Sequence, residues 1–244
     1  MRLTVDGVLA FALSVASLAC PAFGQVPRPV QPDLASLSGA QPPQAFNRSV
    51  TAQREGDRTV ARLDAKAGEG GVLLEGVQLG EGVIEVDLLG RDVAQQSFLG
   101  IAFHFVDWRT YDAVYFRPFN FRAAGQEQRS HAVQYVSHPT NTWQKLRAER
   151  PGQFEAAIDP PPDPDEWFRA RIVLDDSKVE VYVNGAATPS LVVDDLGEAK
   201  SGGIALWVGN GSDGAYASLT ITPADTLLPV TPPSTSPADR RGPL

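Results

Sequence analysis

Seven side chains of this 244-residue sequence have the chemistry to hold a polyhydroxylated ring: His104, Tyr115, Arg117, Asn120, Gln134, His138 and Trp207. Flat aromatic rings pack on the apolar faces of such a ring, while amides, imidazoles and a guanidinium hydrogen-bond its hydroxyls. Gln134 and His138 join the group if Val133 and Tyr135 face the core; the opposite register would bury Ala132 and Val136. The first register is preferred. Each of these residues also has an ordinary structural use, buried tyrosine and tryptophan most of all. A different chemistry needs two carboxylates flanking one bond, about 5 to 5.5 Å apart for a double displacement. Glu85 and Asp87 are two residues apart, so on a strand they share a face at roughly 6 to 7 Å and are the candidate acid and base. Glu149 and Glu155 carry the same group on a segment whose position the sequence does not fix. His104, His131 and His138 lack the close spacing of a metal-ligand set, so no transition-metal site is expected. No phosphate-binding glycine loop or Ser-His-Asp arrangement can be read.

Strands must position these groups. From Ser97 to His138 the sequence alternates, so Leu99, Ile101, Phe103 and Phe105 share one face and Gly100, Ala102 and His104 the other. Val114 and Phe116 continue the apolar face; Tyr111, Ala113, Tyr115 and Arg117 continue the opposite one. Small residues beside Tyr, Arg and His leave room for a ligand, although a half-solvated antiparallel sheet alternates in the same way without one. Arg117 precedes Pro118 at the strand end, where its guanidinium is expected to meet a ligand and its removal to cost the fold little. Trp207 stands beside Gly203 and Ala205 in the same manner, with Ile204, Leu206 and Val208 inward.

Elsewhere the pattern is also that of short strands between turns. Phe46–Gln53 and Thr59–Ala65 flank Arg54-Glu55-Gly56-Asp57 as a hairpin, and Ile84, Val86 and Leu88 alternate with Val83, Glu85 and Asp87. A second hairpin joins Trp167–Leu174 to Lys178–Asn184, which ends on Asn184-Gly185. Phe103, Phe116, Ile172, Val181 and Leu206 each belong to the apolar parity of their strand and are expected in one core. The pattern stops between Pro139 and Glu166, too long for an ordinary turn. There a short helix through Trp143, Leu146 and Arg147, capped by Thr140 or Asn141, and an extended Pro-rich run suit a rim beside the sheet. About a dozen short strands with almost no helix make the expected fold all-β, a two-sheet antiparallel sandwich over residues 44–223.

The remaining segments and the charge bound the function. Residues 1–24 have the form of a secretory signal, with Arg2, an apolar run from Val8 to Ala19 and small residues before a cleavage point after Gly24. The apolar run is too short for a membrane span. The single cysteine, Cys20, lies inside it, within a Ser17-Leu18-Ala19-Cys20 run that faintly resembles a lipoprotein signal. Residues 25–43 read as a Pro/Gln-rich linker and 224–244 as a disordered Pro/Ser/Thr tail. Lys and Arg number 21 against 29 Asp and Glu, a net charge of −8 that argues against nucleic acid or an anionic membrane as partner. A secreted or periplasmic location is expected.

The order of pieces resembles the concanavalin A-like lectin and glucanase superfamily, in particular its laminin-G-like and 3-keto-disaccharide hydrolase-like (family 16 glycoside hydrolase-like) branches. Gly82–Leu88, Phe98–His104, Trp167–Val173, Val179–Gly185 and Gly202–Gly209 carry the resemblance. They are mainly structural motifs, so they speak for a jelly-roll fold more than for an activity. The resemblance implies a saccharide or polysaccharide ligand for the seven residues above, bordered by the Pro139–Glu166 insertion. It also leaves open a glycoside hydrolase or lyase, or a laminin-G-like module that binds protein. Glu85-Val86-Asp87 looks like part of the E-x-D-x-x-E signature of a glucanase branch, but the third position is Gly90, which leaves the pair incomplete. Tyr115–Phe121 and Val133–Pro139 depart from the hydrolase patterns, so no catalytic residue is carried over. The fold often holds a calcium ion on loop oxygens, for which Asp194-Asp195 and Asn210–Asp213 are the donors available.

Overall fold

The computed structural model describes residues 28–38, 45–175 and 177–224; the expected signal segment and nearly all of the expected tail lie outside these. The described residues form fourteen strands: β1 (Ala45–Phe46), β2 (Val50–Glu55), β3 (Arg58–Leu63), β4 (Gly70–Leu79), β5 (Gly82–Leu89), β6 (Leu99–Asp107), β7 (Thr110–Phe116), β8 (Val133–His138), β9 (Glu155–Ala156), β10 (Phe168–Asp175), β11 (Lys178–Val183), β12 (Leu191–Asp194), β13 (Gly202–Val208) and β14 (Gly214–Pro223). Three short helices interrupt them, α1 (Pro118–Phe121), α2 (Gln126–Arg129) and α3 (Trp143–Glu149). One sheet runs β1-β4-β13-β6-β7-β8-β9 and the other β12-β11-β10-β5-β14-β3-β2, with antiparallel pairing throughout. This is the two-sheet antiparallel sandwich that the alternation calls for.

The core fills the space between the sheets. Phe103, Phe116, Ile172, Val181 and Leu206 are all fully buried in one apolar cluster. Phe116 and Phe121 of the first sheet's side meet Phe168 of the second edge to face, with ring centroids 5.1 Å apart. The Tyr216 hydroxyl reaches across to donate to the Trp207 carbonyl at 2.6 Å. The pairing of Tyr115 with Gln134 and of Tyr111 with His138 sets Gln134, Val136 and His138 on the outer face, with Val133 and Tyr135 inward.

Two findings differ from the sequence expectation. First, β6 and β13 both slip register, after Phe103 and between Gly203 and Ala205, and His104 takes a positive φ of 47°. A bulge reverses the facing of every residue beyond it. His104 therefore leaves the outer face for the buried Asp112, and Phe105 leaves the core face to pack on Trp108 and Tyr111, at 4.9 and 6.2 Å between centroids. Second, part of the expected linker is built into the domain. Val30 forms a β-bridge to Ile221, and a 3₁₀ turn at Leu34–Leu37, capped by Asp33, buries Leu34 and Leu37 against β2 and β3.

Candidate functional site

A cleft of about 540 Å³ opens on the outer face of the first sheet. Its floor is laid by β13 and β7, where the rings of Trp207 and Tyr115 lie 5.0 Å apart between centroids. Trp207 Nε1 donates to the Tyr111 hydroxyl at 3.2 Å, and Tyr111 stacks on His138 at 4.9 Å, so a continuous aromatic surface follows the strands. Gly100 makes this floor level. It pairs with both Trp207 and Tyr115, and a Cβ there would come within 2.5 Å of the Tyr115 Cα, so any side chain would force the strands apart. Burial pushes the Tyr115 phenol up to about 12, which keeps it a neutral hydrogen-bonding group.

The insertion supplies the wall. Thr142, not Thr140 or Asn141, caps α3 by accepting from the Lys145 amide at 3.4 Å, because Asn141 is still held in an extended bridge to Ser137. The helix then sets Trp143 and Arg147 one turn apart on the cleft, with the guanidinium over the indole at 5.2 Å. Trp143 is 41 % exposed, an uncommon state for so large an apolar side chain.

One end of the cleft is a charged network around Glu155, which is only 5 % exposed. Arg147 grips it side-on, Nε to Oε1 at 2.9 Å and Nη2 to Oε2 at 2.5 Å. Arg117 approaches to 3.7 Å and His131 Nε2 to 3.3 Å. Arg117 itself is 5 % exposed and both terminal nitrogens are bonded: Nη1 to the His131 carbonyl at 2.7 Å, and Nη2 to the Tyr115 hydroxyl at 2.9 Å and to Gln134 Oε1. Asn120, set by Pro118 at the first position of α1, donates to the same His131 carbonyl at 3.3 Å. Burial lowers the pKa of His131 and of His138, in each case against the pull of neighbouring carboxylates, so both are neutral near pH 7.

Of the seven residues singled out from sequence, Tyr115, Arg117, Asn120, His138 and Trp207 line this cleft, and Gln134 lies directly beneath it on Tyr115 and Arg117. The expectation that Arg117 is dispensable to the fold is corrected, since it ties β7 to β8 and to the turn before it. His104 is elsewhere. It is 4 % exposed, with Nδ1 on Asp112 Oδ2 and Nε2 on the Gly80 carbonyl, both at 3.1 Å, and Asp195 at 3.8 Å. Glu85 and Asp87 lie on the second sheet, ion-paired to Arg169 at 3.5 and 3.1 Å and, for Asp87, to Arg58 at 3.7 Å. They cannot act on anything in the cleft. Glu149 is exposed at the end of α3. Trp143 and Arg147, expected only as part of a rim helix, line the cleft, and Glu155, expected only as an acid or base, instead holds Arg147; Phe98 and Glu69 are lining residues that the sequence did not single out as ligand groups.

Among the described residues, the set of histidine and carboxylate ligand atoms gathered within 4.8 Å is His104, Asp112 and Asp195. It already contains its own cations. Both ring nitrogens of His104 face acceptors, and Lys200 lies 2.9 Å from Asp195. The other proposed calcium donors are used within the fold: Asp194 pairs with Lys178, Asn210 accepts from the Gly68 amide and Asp213 pairs with Arg91. Burial alone would lower the His104 pKa; the hydrogen bonds to Asp112 and Gly80 and the charge of Asp195 outweigh it and raise the value above 6.5. A group whose folded pKa is raised stabilises most fully below its unfolded pKa, and that contribution is lost as pH rises through the folded value. His131 and His138, with lowered values, act in the opposite sense. The stability difference between the wild type and His104→Asn is therefore expected to be largest in mild acid and to shrink above pH 6.5, as read by urea midpoints across that range. A difference that stays flat with pH would show that His104 is not an imidazolium.

No protein-family model matches the sequence, and no curated protein matches it either. Solved structures do. A family 66 carbohydrate-binding module from Bacillus subtilis superposes with a TM-score of 0.50 at 12 % identity, over 74 % of this chain and 92 % of that one. A Bacillus subtilis protein of unknown function with a galectin-like fold gives 0.45 at 13 % identity over 72 % and 88 % of the two chains. Domain 4 of an extracellular arabinanase from Geobacillus stearothermophilus, solved with arabinotriose, gives 0.42 at 12 % identity over 71 % and 75 %. The likeness to the family 66 module, together with the two seven-stranded antiparallel sheets, gives the described chain a jelly-roll sandwich fold.

Proposed function

We propose that the protein is a saccharide-binding β-sandwich domain whose ligand lies along the cleft, over Tyr115 and Trp207 and against Trp143. The observation that carries this reading is an aromatic floor and an exposed tryptophan wall converging on hydrogen-bonding groups in one cleft. Its volume falls in the range of about 300 to 1,000 Å³ usual for ligand sites. The Bacillus module of like fold is itself a carbohydrate binder by description, which supports the reading at the level of architecture. Hydrolysis is disfavoured: a retaining mechanism needs a second free carboxylate, whereas Glu69 is the carboxylate lining the cleft and Glu155 is committed to Arg147. A protein-binding module is disfavoured too, because the exposed large apolar residues, Val30, Phe46, Val106, Trp143 and Val192, sit on separate elements. Among the described residues the gathered donor set for a cation is His104, Asp112 and Asp195, where His104 and Lys200 already balance the carboxylates, so the proposed site takes no calcium ion from it. We further propose export to the cell exterior or periplasm with residues 1–24 removed; among the described residues no helix is long and apolar enough to cross a membrane.

A glycan array identifies the ligand, and a reducing-sugar assay run beside it tests for cleavage. Trp143→Ala is then expected to weaken binding about tenfold, with an unchanged melting temperature, since an exposed aromatic contributes contact area to the ligand and little to the core. Unaltered affinity in that variant would overturn the cleft as the site. Release of reducing ends by the wild type would favour the enzyme reading instead.

A further inference from the structure

We infer that the saccharide held in this cleft carries a carboxylate, and that Arg147 reads it at the Glu155 end; this rests on the cleft being a saccharide site. The first support is a charge count. Two permanent cations, Arg117 and Arg147, lie on the one buried carboxylate of this end, Glu155, and His131, the third group on it, is neutral; Glu127, which also acts on Arg147 and His131, is exposed on α2 and screened by solvent. Glu69 does not complete the balance. It acts on Tyr111, Tyr115 and His138, whereas the carboxylate that acts on Arg117 is Glu155. Among the buried groups at one end of a largely aromatic cleft, two guanidiniums thus face one carboxylate, on a protein whose overall charge is −8. Charge in such surroundings is costly unless paired, so an anion that enters there is favoured over water.

The second support is the direction of the free donors. Arg117 has turned both terminal nitrogens to acceptors in the protein, His131, Tyr115 and Gln134, and acts at this end chiefly through its charge. Arg147 is different. Its Nε and Nη2 hold Glu155, but Nη1 has no protein partner among the described residues, and the side chain is 34 % exposed, flat on Trp143. A ring stacked on Trp143 would present a substituent to that nitrogen, with the amide of Gln144 beside it on the same wall. Charge-assisted hydrogen bonds of this kind are the strong ones and suit a carboxylate better than a hydroxymethyl group.

The test compares acidic oligosaccharides with their own carboxyl-reduced forms, which keep linkage and stereochemistry and differ only in charge. Trimers of glucuronate, galacturonate and mannuronate, each beside its reduced neutral partner, are titrated with the full-length protein, together with a sulfated neutral trimer. One uronate is expected to bind about tenfold or more tightly than its reduced form, and the preference to shrink as salt is raised from about 0.05 M to 0.5 M. Arg147→Gln is expected to abolish that preference with the fold intact by circular dichroism, and Arg147→Lys to restore part of it. Equal or tighter binding of the reduced forms overturns the carboxylate while leaving the saccharide reading in place. Tightest binding of the sulfated trimer also overturns it, and a preference of full size in Arg147→Gln overturns the assignment to that residue. If no saccharide binds in either form, the function proposed above fails and this inference with it.

Discussion

Replacing Glu155 with alanine is expected to cost about 3 to 5 kcal/mol of stability, because it removes the one anion from a buried pair and strands its cations. Arg117 would remain fixed under the cleft floor with its charge uncompensated, and the Nε and Nη2 hydrogens of Arg147 would lose both acceptors. Such a change acts through what it leaves behind more than through the contact it deletes. The control follows from the same reasoning. Removing Arg147 together with Glu155, as the double methionine variant, should recover part of the loss, since Arg117 is still held by His131, Tyr115 and Gln134. Urea midpoints for the two variants and the wild type measure it. A Glu155→Ala protein within about 1 kcal/mol of wild type would mean that water, and not the carboxylate, balances these guanidiniums.

Phe103→Ala is expected to be equally damaging, at about 3 to 5 kcal/mol, as the cavity left by a fully buried phenylalanine cannot collapse between two sheets. Its ring is fully buried, 6.4 Å from that of Tyr135. The informative partner is Phe105. The two residues share a parity in the sequence, but the bulge at His104 separates them, and Phe105 packs on Trp108 and Tyr111 at the cleft side. Phe105→Ala should therefore cost clearly less than Phe103→Ala. Equal losses from the two substitutions would restore the unbroken strand and remove the bulge.

The alternation of Val133 to His138 was enough to set Gln134 and His138 on the outer face, because a strand buried on one side has a single register that keeps its apolar residues inside. The same logic misassigned His104. One extra residue in β6 inverts facing without any change in residue type, and a histidine is tolerated on either face of such a strand. Asp112 held the clue. It stands at core parity between Tyr111 and Ala113, and a carboxylate there requires a cationic partner, which His104 supplies. The Glu155 network was illegible for another reason. Its members come from the residue that links β7 to α1, the turn before β8, α3 and β9, and no periodicity relates a two-residue strand to the helix that precedes it. Leu34 and Leu37 escaped notice because two leucines in a Pro- and Ser-rich run make no pattern, although both are buried.

The β-bridge between Val30 and Ile221 joins the first and last described stretches of the chain on the sheet that does not carry the cleft. Whatever is attached beyond either stretch, whether a neighbouring domain, a surface tether or an affinity tag, is thereby anchored at the back of the sandwich. Coupling through these positions leaves the mouth of the cleft turned away from the support.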